Sequence, residues 1–203
     1  MVKTLCTYAL GSLLLGAAAC SSKDAEPQPE GGVTRTDEFV SAKADGQYVD
    51  CQDVYRRNGT VPDTLFNGYQ NFWISSTQRL QQIDIMRLEN GGTASSKYFM
   101  LIFGNVDLDA LTVPTEFNSA DRTKWASIGF GDYSSTQGPV SGPDPNRYGG
   151  STLTKDGPVV KILSKDNDIL VGTFRGPVLN SANQVKTLTE GQFRIKLLRK
   201  TRP

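Results

Sequence analysis

Short apolar or alternating segments, separated by turn residues, follow one another along most of the chain. A period of two between apolar and polar residues is typical of strands that lie between a core and solvent. The final segment shows this most clearly, since Phe193, Ile195 and Leu197 alternate with Arg194 and Lys196. That alternation predicts a strand with one buried face and fixes its pairing register.

We predict strands at residues 39–43, 47–51, 70–75, 81–88, 98–103, 125–130, 159–163, 169–178 and 185–198. Asp45 and Gly46, between the first two, are a strong hairpin signal. Residues 98–103 are apolar throughout, which predicts a central strand covered on both faces. Residues 118–124 are compatible with a short helix, capped by Asn118 or Ser119. The whole pattern predicts an all-β domain, either an antiparallel β-sandwich or a partly closed barrel of about nine or ten strands.

Residues 131–151 interrupt the pattern with a stretch rich in glycine and proline. A loop of this length inside a compact domain is usually functional or disordered. Tyr133 and Tyr148 lie in it, and we expect these two aromatic residues to be the ligand-binding candidates. Phe72 and Trp73 point to opposite faces of a predicted strand, and core packing is the simpler interpretation for that pair.

The N-terminal residues 1–19 have the pattern of a secretory signal peptide. Lys3 precedes an apolar run that begins at Leu5 and ends in a row of alanines before Cys20. The run is shorter than the roughly 20 residues that cross a hydrocarbon core, so we expect no transmembrane helix in the mature chain.

Small residues directly before Cys20 resemble the lipobox of bacterial lipoproteins. The resemblance implies cleavage before Cys20 and attachment of diacylglycerol to its thiol, with further acylation such as palmitate. Several acyl chains anchor a protein stably where one does not. Residues 20–38 carry prolines and glycines but almost no large apolar side chain, which predicts a lipidated flexible tether with an r.m.s. span of roughly 25 Å. Residues 39–203 then form a single β domain.

The composition excludes several functional classes. The chain has 22 Lys plus Arg, 21 Asp plus Glu and no His. Without histidine there is no Ser-His-Asp or Cys-His catalytic system and no His-ligated metal or haem. The balanced charge gives no support for nucleic-acid binding. Cys51 is the one thiol left after Cys6 is removed with the signal and Cys20 is lipidated, and we expect it to be a small buried apolar residue.

Carboxylates are the remaining catalytic candidates, because glycoside hydrolysis needs two of them roughly 5 to 9.5 Å apart. The candidates are Asp84, Asp107, Asp109, Glu116 and Asp132. Asp84 alternates with Ile83 and Ile85 as an outward strand residue does, and Asp107 and Asp109 flank Leu108 in a predicted turn. Positions in contact with solvent are therefore favoured over a catalytic pair.

Three further polar features have both a functional and a structural interpretation. Residues 166–168 offer oxygen ligands for calcium, but Asp and Asn are turn formers first, and we predict no metal site. The basic residues 199–202 favour contact with lipid phosphates or, more simply, a solvated strand face. Residues 63–65 resemble the acceptor site of O-linked glycans in Bacteroidota, which implies a glycan on Thr64.

Two segments of glycines and aromatic residues carry a family resemblance. Gly172-Thr173-Phe174-Arg175-Gly176 and Thr189-Glu190-Gly191-Gln192-Phe193 resemble the closing hairpin of small Bacteroidota outer-membrane lipoproteins of unknown function. Residues 39–48 resemble their opening hairpin. The resemblance implies β architecture and a location in the cell envelope, and no particular chemistry.

These observations predict a lipid-anchored cell-envelope protein, with the outer membrane as the expected location and both its surface and its periplasmic face open. We expect a non-enzymatic binding or interaction module without cofactor, whose partner is a glycan or an envelope protein. The alternatives are a carboxylate-dependent hydrolase that acts on glycans and a structural subunit of an outer-membrane assembly.

Overall fold

The computed structural model describes residues 33–57, 61–62, 66–89, 97–133 and 144–202. The predicted signal peptide, Cys20 and most of the tether lie outside these ranges, and so does Thr64. Gly31–Pro203 form one compact unit.

Fifteen strands are present in the described residues. They are β1 (Phe39–Ala44), β2 (Gln47–Cys51), β3 (Asp53–Val54), β4 (Arg56–Arg57), β5 (Val61–Pro62), β6 (Asn67–Trp73), β7 (Arg79–Leu88), β8 (Lys97–Gly104), β9 (Thr115–Phe117), β10 (Trp125–Asp132), β11 (Arg147–Ser151), β12 (Val159–Asp166), β13 (Ile169–Leu179), β14 (Val185–Lys196) and β15 (Leu198–Thr201). No described residue lies in a helix. The predicted all-β class is confirmed.

Thirteen of the strands form one large curled sheet, and β4 and β5 form a separate two-stranded sheet. The main path runs β15-β6-β7-β8-β10-β11-β13-β14-β1-β2, while β12 pairs with β13 and β9, and β3 pairs with β7. All pairs in the large sheet are antiparallel except β15 with β6, which is parallel. The strand number exceeds the predicted nine or ten because β3, β4, β5, β9 and β15 have only two to four residues each, too few to show an alternating pattern.

The sheet curls because consecutive strands pair at distant points of its path. β2 pairs with β1, and β3, which follows almost directly, pairs with β7. At the end of β2, the Cys51 Sγ lies 3.8 Å from the backbone oxygen of Lys97 on β8. Burial raises the pKa of the Cys51 thiol to about 12, so this group stays protonated at neutral pH. Cys51 is completely buried, as the sequence predicted for a small apolar residue.

Phenylalanine rings fill the interior of the curled sheet. The Phe99 ring centroid lies 5.1 Å from that of Phe130 and 5.7 Å from that of Phe174. The Phe103 centroid lies 5.2 Å from that of Phe117 and 6.1 Å from that of Phe193. These six rings come from five different strands, so the core holds both halves of the sheet path together.

Two sequence patterns are confirmed in detail. Asp45 and Gly46 connect β1 to β2 with φ angles of 49° and 82°, the left-handed region that a tight hairpin turn requires. On β14, Phe193 and Ile195 are completely buried while Lys196 is exposed, as the alternation predicted.

Strand β8 is central, between β7 and β10, but its outer face is less covered than predicted. Phe99, Leu101 and Phe103 are completely buried, whereas Met100 and Ile102 on the opposite face are half-buried. The apolar run therefore reflects one fully buried face and one face packed mainly against neighbouring strands of the same sheet.

The predicted helix at residues 118–124 is wrong, since this segment forms turns. The Asn118 Oδ1 accepts a hydrogen bond of 2.9 Å from the backbone N–H of Ala120. The Asp121 Oδ1 accepts one of 2.9 Å from the backbone N–H of Thr123. These side chains bind nearby backbone donors in a non-helical conformation, which competes with a helix.

The predicted strand 185–198 divides at Leu197 into β14 and β15. The backbone N–H of Leu197 donates a 2.8 Å hydrogen bond to the backbone oxygen of Asp168, and the Leu197 side chain is buried. After this point the chain pairs with β6 on the other half of the sheet. Among the described residues, no helix is long and apolar enough to cross a membrane.

Candidate functional site

The segment predicted as a long loop, residues 131–151, is partly strand. β10 continues through Asp132, and β11 begins at Arg147 and pairs with β10 along its whole length. Residues 134–143 lie outside the described part of the chain.

The two predicted ligand-binding tyrosines are not exposed on a loop. Tyr133 is buried, and its ring stacks on that of Tyr98 with 6.1 Å between centroids. Tyr148 is half-buried on β11 and packs against the core beside Phe130, with 6.3 Å between centroids, while Lys186 lies over its ring. Both rings are therefore used in packing. Their role in ligand binding stays a prediction.

Glycines form the outer face of β10 and β11. Gly129 pairs with Gly149 across the two strands, and Gly131 pairs with Arg147. A Cβ atom on Gly129 would lie 3.3 Å from Met100, and one on Gly131 would overlap the Tyr98 ring. The long side chains of β8 thus lie flat against glycines of β10, an arrangement that requires the absence of a Cβ.

Gly149 differs from the other glycines of this face. A Cβ built on it would have only the Ile128 backbone oxygen within 4 Å, at 3.9 Å. Among the described residues, the space above Gly149 is therefore open. Gly149 therefore lies at the bottom of a groove, and no described side chain packs over it.

Two adjoining depressions make up this groove, and both include Ser127 and Gly149. The first has a volume of about 340 Å³ and is bordered by Met100, Asp144 and Arg147. The second, of about 600 Å³, is bordered by residues 154–158 and by Pro177 and Leu179. We call the combined depression the β10–β11 groove.

The second depression coincides with a split in the sheet. β11 and β13 pair only at Gly149 and Leu179. Pro177 has no backbone N–H to continue the ladder, and Gly176 adopts a φ of 124°, which few other residues accept. A Cβ on Gly150 would lie 2.7 Å from the Pro177 oxygen, so the two strands stay close without pairing.

Polar groups at the first depression are held in place by a short network. The Tyr133 hydroxyl donates a hydrogen bond to the Asp144 Oδ2, and the Asp144 Oδ1 accepts one of 2.9 Å from the backbone N–H of Asn146. Burial, together with this bond to Asp144, raises the pKa of Tyr133, and burial raises that of Tyr98. Both hydroxyls therefore stay protonated at neutral pH. Arg147 is exposed at the rim, where it offers a donor for a ligand.

Asp84 corrects another sequence prediction. It points outward from β7 but is buried rather than solvated. The Gln70 Nε2 donates a 3.0 Å hydrogen bond to its Oδ2, and the Gln82 Nε2 donates one of 2.9 Å to its Oδ1. Burial raises the pKa of Asp84 to about 6, against the opposing effect of the two amides. Its side-chain partners in the described part of the chain are amides, whereas the hydrolase alternative needs a second carboxylate nearby.

The other carboxylate candidates have structural partners. Burial opposes ionisation of Asp107, but the backbone N–H groups of Asp109 and Ala110 donate to it and lower its pKa. Arg199 bridges Asp109 at 2.8 Å and Asp168 at 2.5 Å, and its pKa is raised by these contacts. The Glu116 Oε1 accepts a 2.7 Å hydrogen bond from Asn118.

The acidic turn at residues 166–168 is the β12–β13 hairpin connection. Asn167 adopts a φ of 52°, and Asp166 pairs with Ile169. Within the described ranges, no group of three His, Cys, Asp or Glu side chains is arranged to hold a metal ion. Asp132 lies at the end of β10 and has interactions of its own.

Arg87 is a buried charged residue that the sequence analysis did not single out. Although Arg87 is only 1% exposed, its guanidinium donates to the Glu38 Oε2 at 2.6 Å and to the Asn67 Oδ1 at 2.5 Å. Its Nε has no hydrogen-bond partner among the described residues. The contact fixes the point where the chain enters β1. The sequence signal for this buried residue was its position, because Arg87 follows Ile83 and Ile85 on the inward-facing side of β7.

In comparisons with known proteins, no family model, no curated sequence and no solved structure matches this chain.

Proposed function

We propose that the chain is a lipid-anchored cell-envelope protein whose β domain binds a glycan in the β10–β11 groove without catalysing a reaction. The observation that carries this proposal is the open floor at Gly149, next to polar side chains on both sides. Glycan hydroxyls need alternating donors and acceptors, and the groove offers the Asp144 carboxylate, the Arg147 guanidinium and the Ser127 hydroxyl.

The shape of the groove supports an extended ligand. The two depressions adjoin along β11, and Met100, Pro177 and Leu179 add apolar borders. A sugar chain has both polar edges and apolar ring faces, which match such a mixed surface. Because the Tyr133 and Tyr148 rings are used in packing, we expect the groove to bind the glycan by hydrogen bonds rather than by stacking on these rings.

Gly149→Leu tests the groove directly. The new side chain has room at its Cβ but projects into the groove, so we expect residues 31–203 to keep their stability while glycan binding falls at least tenfold. The measurement is retention on an array of bacterial envelope and host glycans, followed by titration of the retained glycan. Gln47→Leu, which adds the same side chain to the exposed edge strand β2, is the matched control. Absence of any retained glycan, or unchanged binding by Gly149→Leu, contradicts the proposal.

The anchor is tested separately in cells. We expect the native chain in the membrane fraction and Cys20→Ala in the soluble fraction, because the variant lacks the thiol that carries diacylglycerol. Protease treatment of intact cells then distinguishes a surface location from a periplasmic one. Unchanged membrane association of Cys20→Ala would show that the lipoprotein assignment is wrong.

A further inference from the structure

The β6–β7 hairpin ends in an exposed apolar tip. Trp73 is 55% exposed and Ile74 is 51% exposed, and all residues from 73 to 79 are exposed. We call residues 72–79 the hairpin tip. Exposed apolar side chains that lie next to each other form a patch, and such patches often mark an interaction site.

Three cations surround this tip. Parallel pairing places Lys200 beside Gln70 and Thr201 beside Asn71, so the end of β15 lies against the hairpin. Lys200 Nζ and the Arg202 guanidinium each lie 5.7 Å from the Phe72 ring centroid. Arg79, the third cation, pairs with Trp73 across the hairpin.

These cations are not neutralised within the described part of the chain. Arg79 Nε donates a 2.8 Å hydrogen bond to the Asn71 amide oxygen, and no carboxylate forms an ion pair with Arg79, Lys200 or Arg202 there. Residues 71–80 contain neither Asp nor Glu. By contrast, Arg199 on the same strand β15 bridges two aspartates. The tip therefore combines apolar exposure with positive charge that no described carboxylate pairs.

Four backbone N–H groups in the turn of the tip, those of Ile74, Ser75, Thr77 and Gln78, are paired within it. The backbone N–H of Ile74 donates to the Gln78 oxygen at 2.9 Å, and that of Gln78 donates to the Ser75 Oγ at 3.0 Å. A loop whose backbone groups are already paired loses less free energy when it leaves water. This lowers the cost of placing the tip in a membrane interface.

We propose that the hairpin tip docks the domain on an anionic phospholipid surface, with Trp73 and Ile74 in the interfacial region and the three cations at the lipid phosphates. Tryptophan is favoured at membrane interfaces because its ring is apolar and its N–H is polar. Lys and Arg side chains add electrostatic attraction to anionic lipid. This docking is independent of the groove and of the lipid on Cys20.

The position of the tip is compatible with docking on the membrane that holds the predicted anchor. The tip lies at the start of β7, and the contact of Arg87 with Glu38, where the tether joins the domain, lies near its end. This separation is about 27 Å at about 3.4 Å per strand residue. Arg35 and Thr36 already contact the domain, so residues 20–34 of the predicted tether are left to span this distance, roughly 21 Å as a random coil.

Vesicle binding by residues 31–203 tests the proposal without the lipid anchor. These residues form a compact unit that contains every described strand. We use vesicles of phosphatidylcholine with and without phosphatidylglycerol, and a Trp125→Phe background so that Trp73 is the single fluorescent tryptophan. We expect co-sedimentation and a blue shift of Trp73 emission with the anionic vesicles, and weaker binding at high salt.

Single substitutions measure separately how much the apolar Trp73 side chain and the three cations contribute to vesicle binding. We expect Trp73→Ser to lower the affinity about tenfold. Each of Arg79→Gln, Lys200→Gln and Arg202→Gln should lower it about fivefold. The matched controls are Tyr48→Ser, which removes another exposed aromatic ring, and Arg122→Gln, which removes an exposed cation in the turn before β10.

Four results would overturn the proposal. They are no binding to anionic vesicles, equal binding to both kinds of vesicle, unchanged binding by Trp73→Ser, and an equal loss from the Tyr48→Ser control. Thermal unfolding of each variant confirms that a lost affinity is not a lost fold.

Discussion

The interior of the curled sheet and its outer face over β8, β10 and β11 are built by the same strands but packed in different ways. Inside, Phe99, Phe103 and Phe130 are buried almost completely. The Phe99 and Phe103 rings contact rings on β13 and β14, in the other half of the sheet path. Outside, Met100 and Tyr98 lie across glycines of the neighbouring strand. The difference shows that the interior holds the fold together, while the outer face leaves the backbone at Gly149 uncovered by other described residues.

The largest expected difference in stability is between substitutions on the inner and the outer face of β8. Phe103→Ala removes a ring that contacts Phe117 and Phe193, and we expect it to lower the free energy of unfolding by about 3–5 kcal/mol. Met100→Ala, on the outer face of the same strand, should lower it by less than about 2 kcal/mol, because its side chain is only half-buried. Urea unfolding measures both. Equal losses would mean that the outer face is as much a core as the interior.

The next largest effect on stability comes from Asp84, and this effect depends on pH. Its pKa is raised to about 6 in the folded protein, so the folded state holds a proton that the unfolded state loses near its ordinary value of 3.8. Stability should therefore fall as pH rises through about 6. Asp84→Asn should remove this dependence and raise the free energy of unfolding at pH 7.5 by about 1–3 kcal/mol.

Unfolding of both proteins between about pH 4 and 8 measures that difference. Asp107→Asn is the control, because the pKa of Asp107 is lowered and its carboxylate is stabilised by backbone donors. That variant should lose stability at neutral pH. A native protein whose stability rises from pH 5 to pH 7.5 as much as that of Asp84→Asn would contradict the assigned burial of Asp84.

The smallest effect compares two glycines of the outer face. Gly131→Ala places a Cβ against the Tyr98 ring and should cost about 1–3 kcal/mol of unfolding free energy. Gly149→Ala places its Cβ in open space and should change stability by less than about 0.5 kcal/mol. Thermal unfolding measures the pair. A cost at Gly149 similar to that at Gly131 would mean that the groove floor is not open.

Local patterns in the sequence predicted the fold where neighbours along the chain decide the structure. The Asp45-Gly46 turn and the alternation that ends in Phe193 and Ile195 depend on residues close in sequence, and both are confirmed. β15 was missed as a separate strand, because its parallel partner β6 lies more than a hundred residues earlier in the sequence.

The candidate site was less predictable, since burial of an outward residue depends on distant strands. Asp84 alternates with apolar residues as a solvated residue would, but Gln70 from β6 covers it. Tyr133 lies beside a Gly/Pro-rich segment, but Tyr98 from β8 stacks on it. Glycines at 129, 131 and 149 were the available signal for the groove, because their spacing along predicted strands implies a face without side chains.

Hydrogen–deuterium exchange with the glycan that binds most tightly on the array tests the central claim most directly. The claim is that the β10–β11 groove is the binding surface of the domain. We predict that the glycan slows exchange at residues 127–129 and 147–151, and that Gly149→Leu abolishes this protection while Gln47→Leu keeps it. Protection confined to another part of the sheet, or no protection by any glycan, would contradict the account.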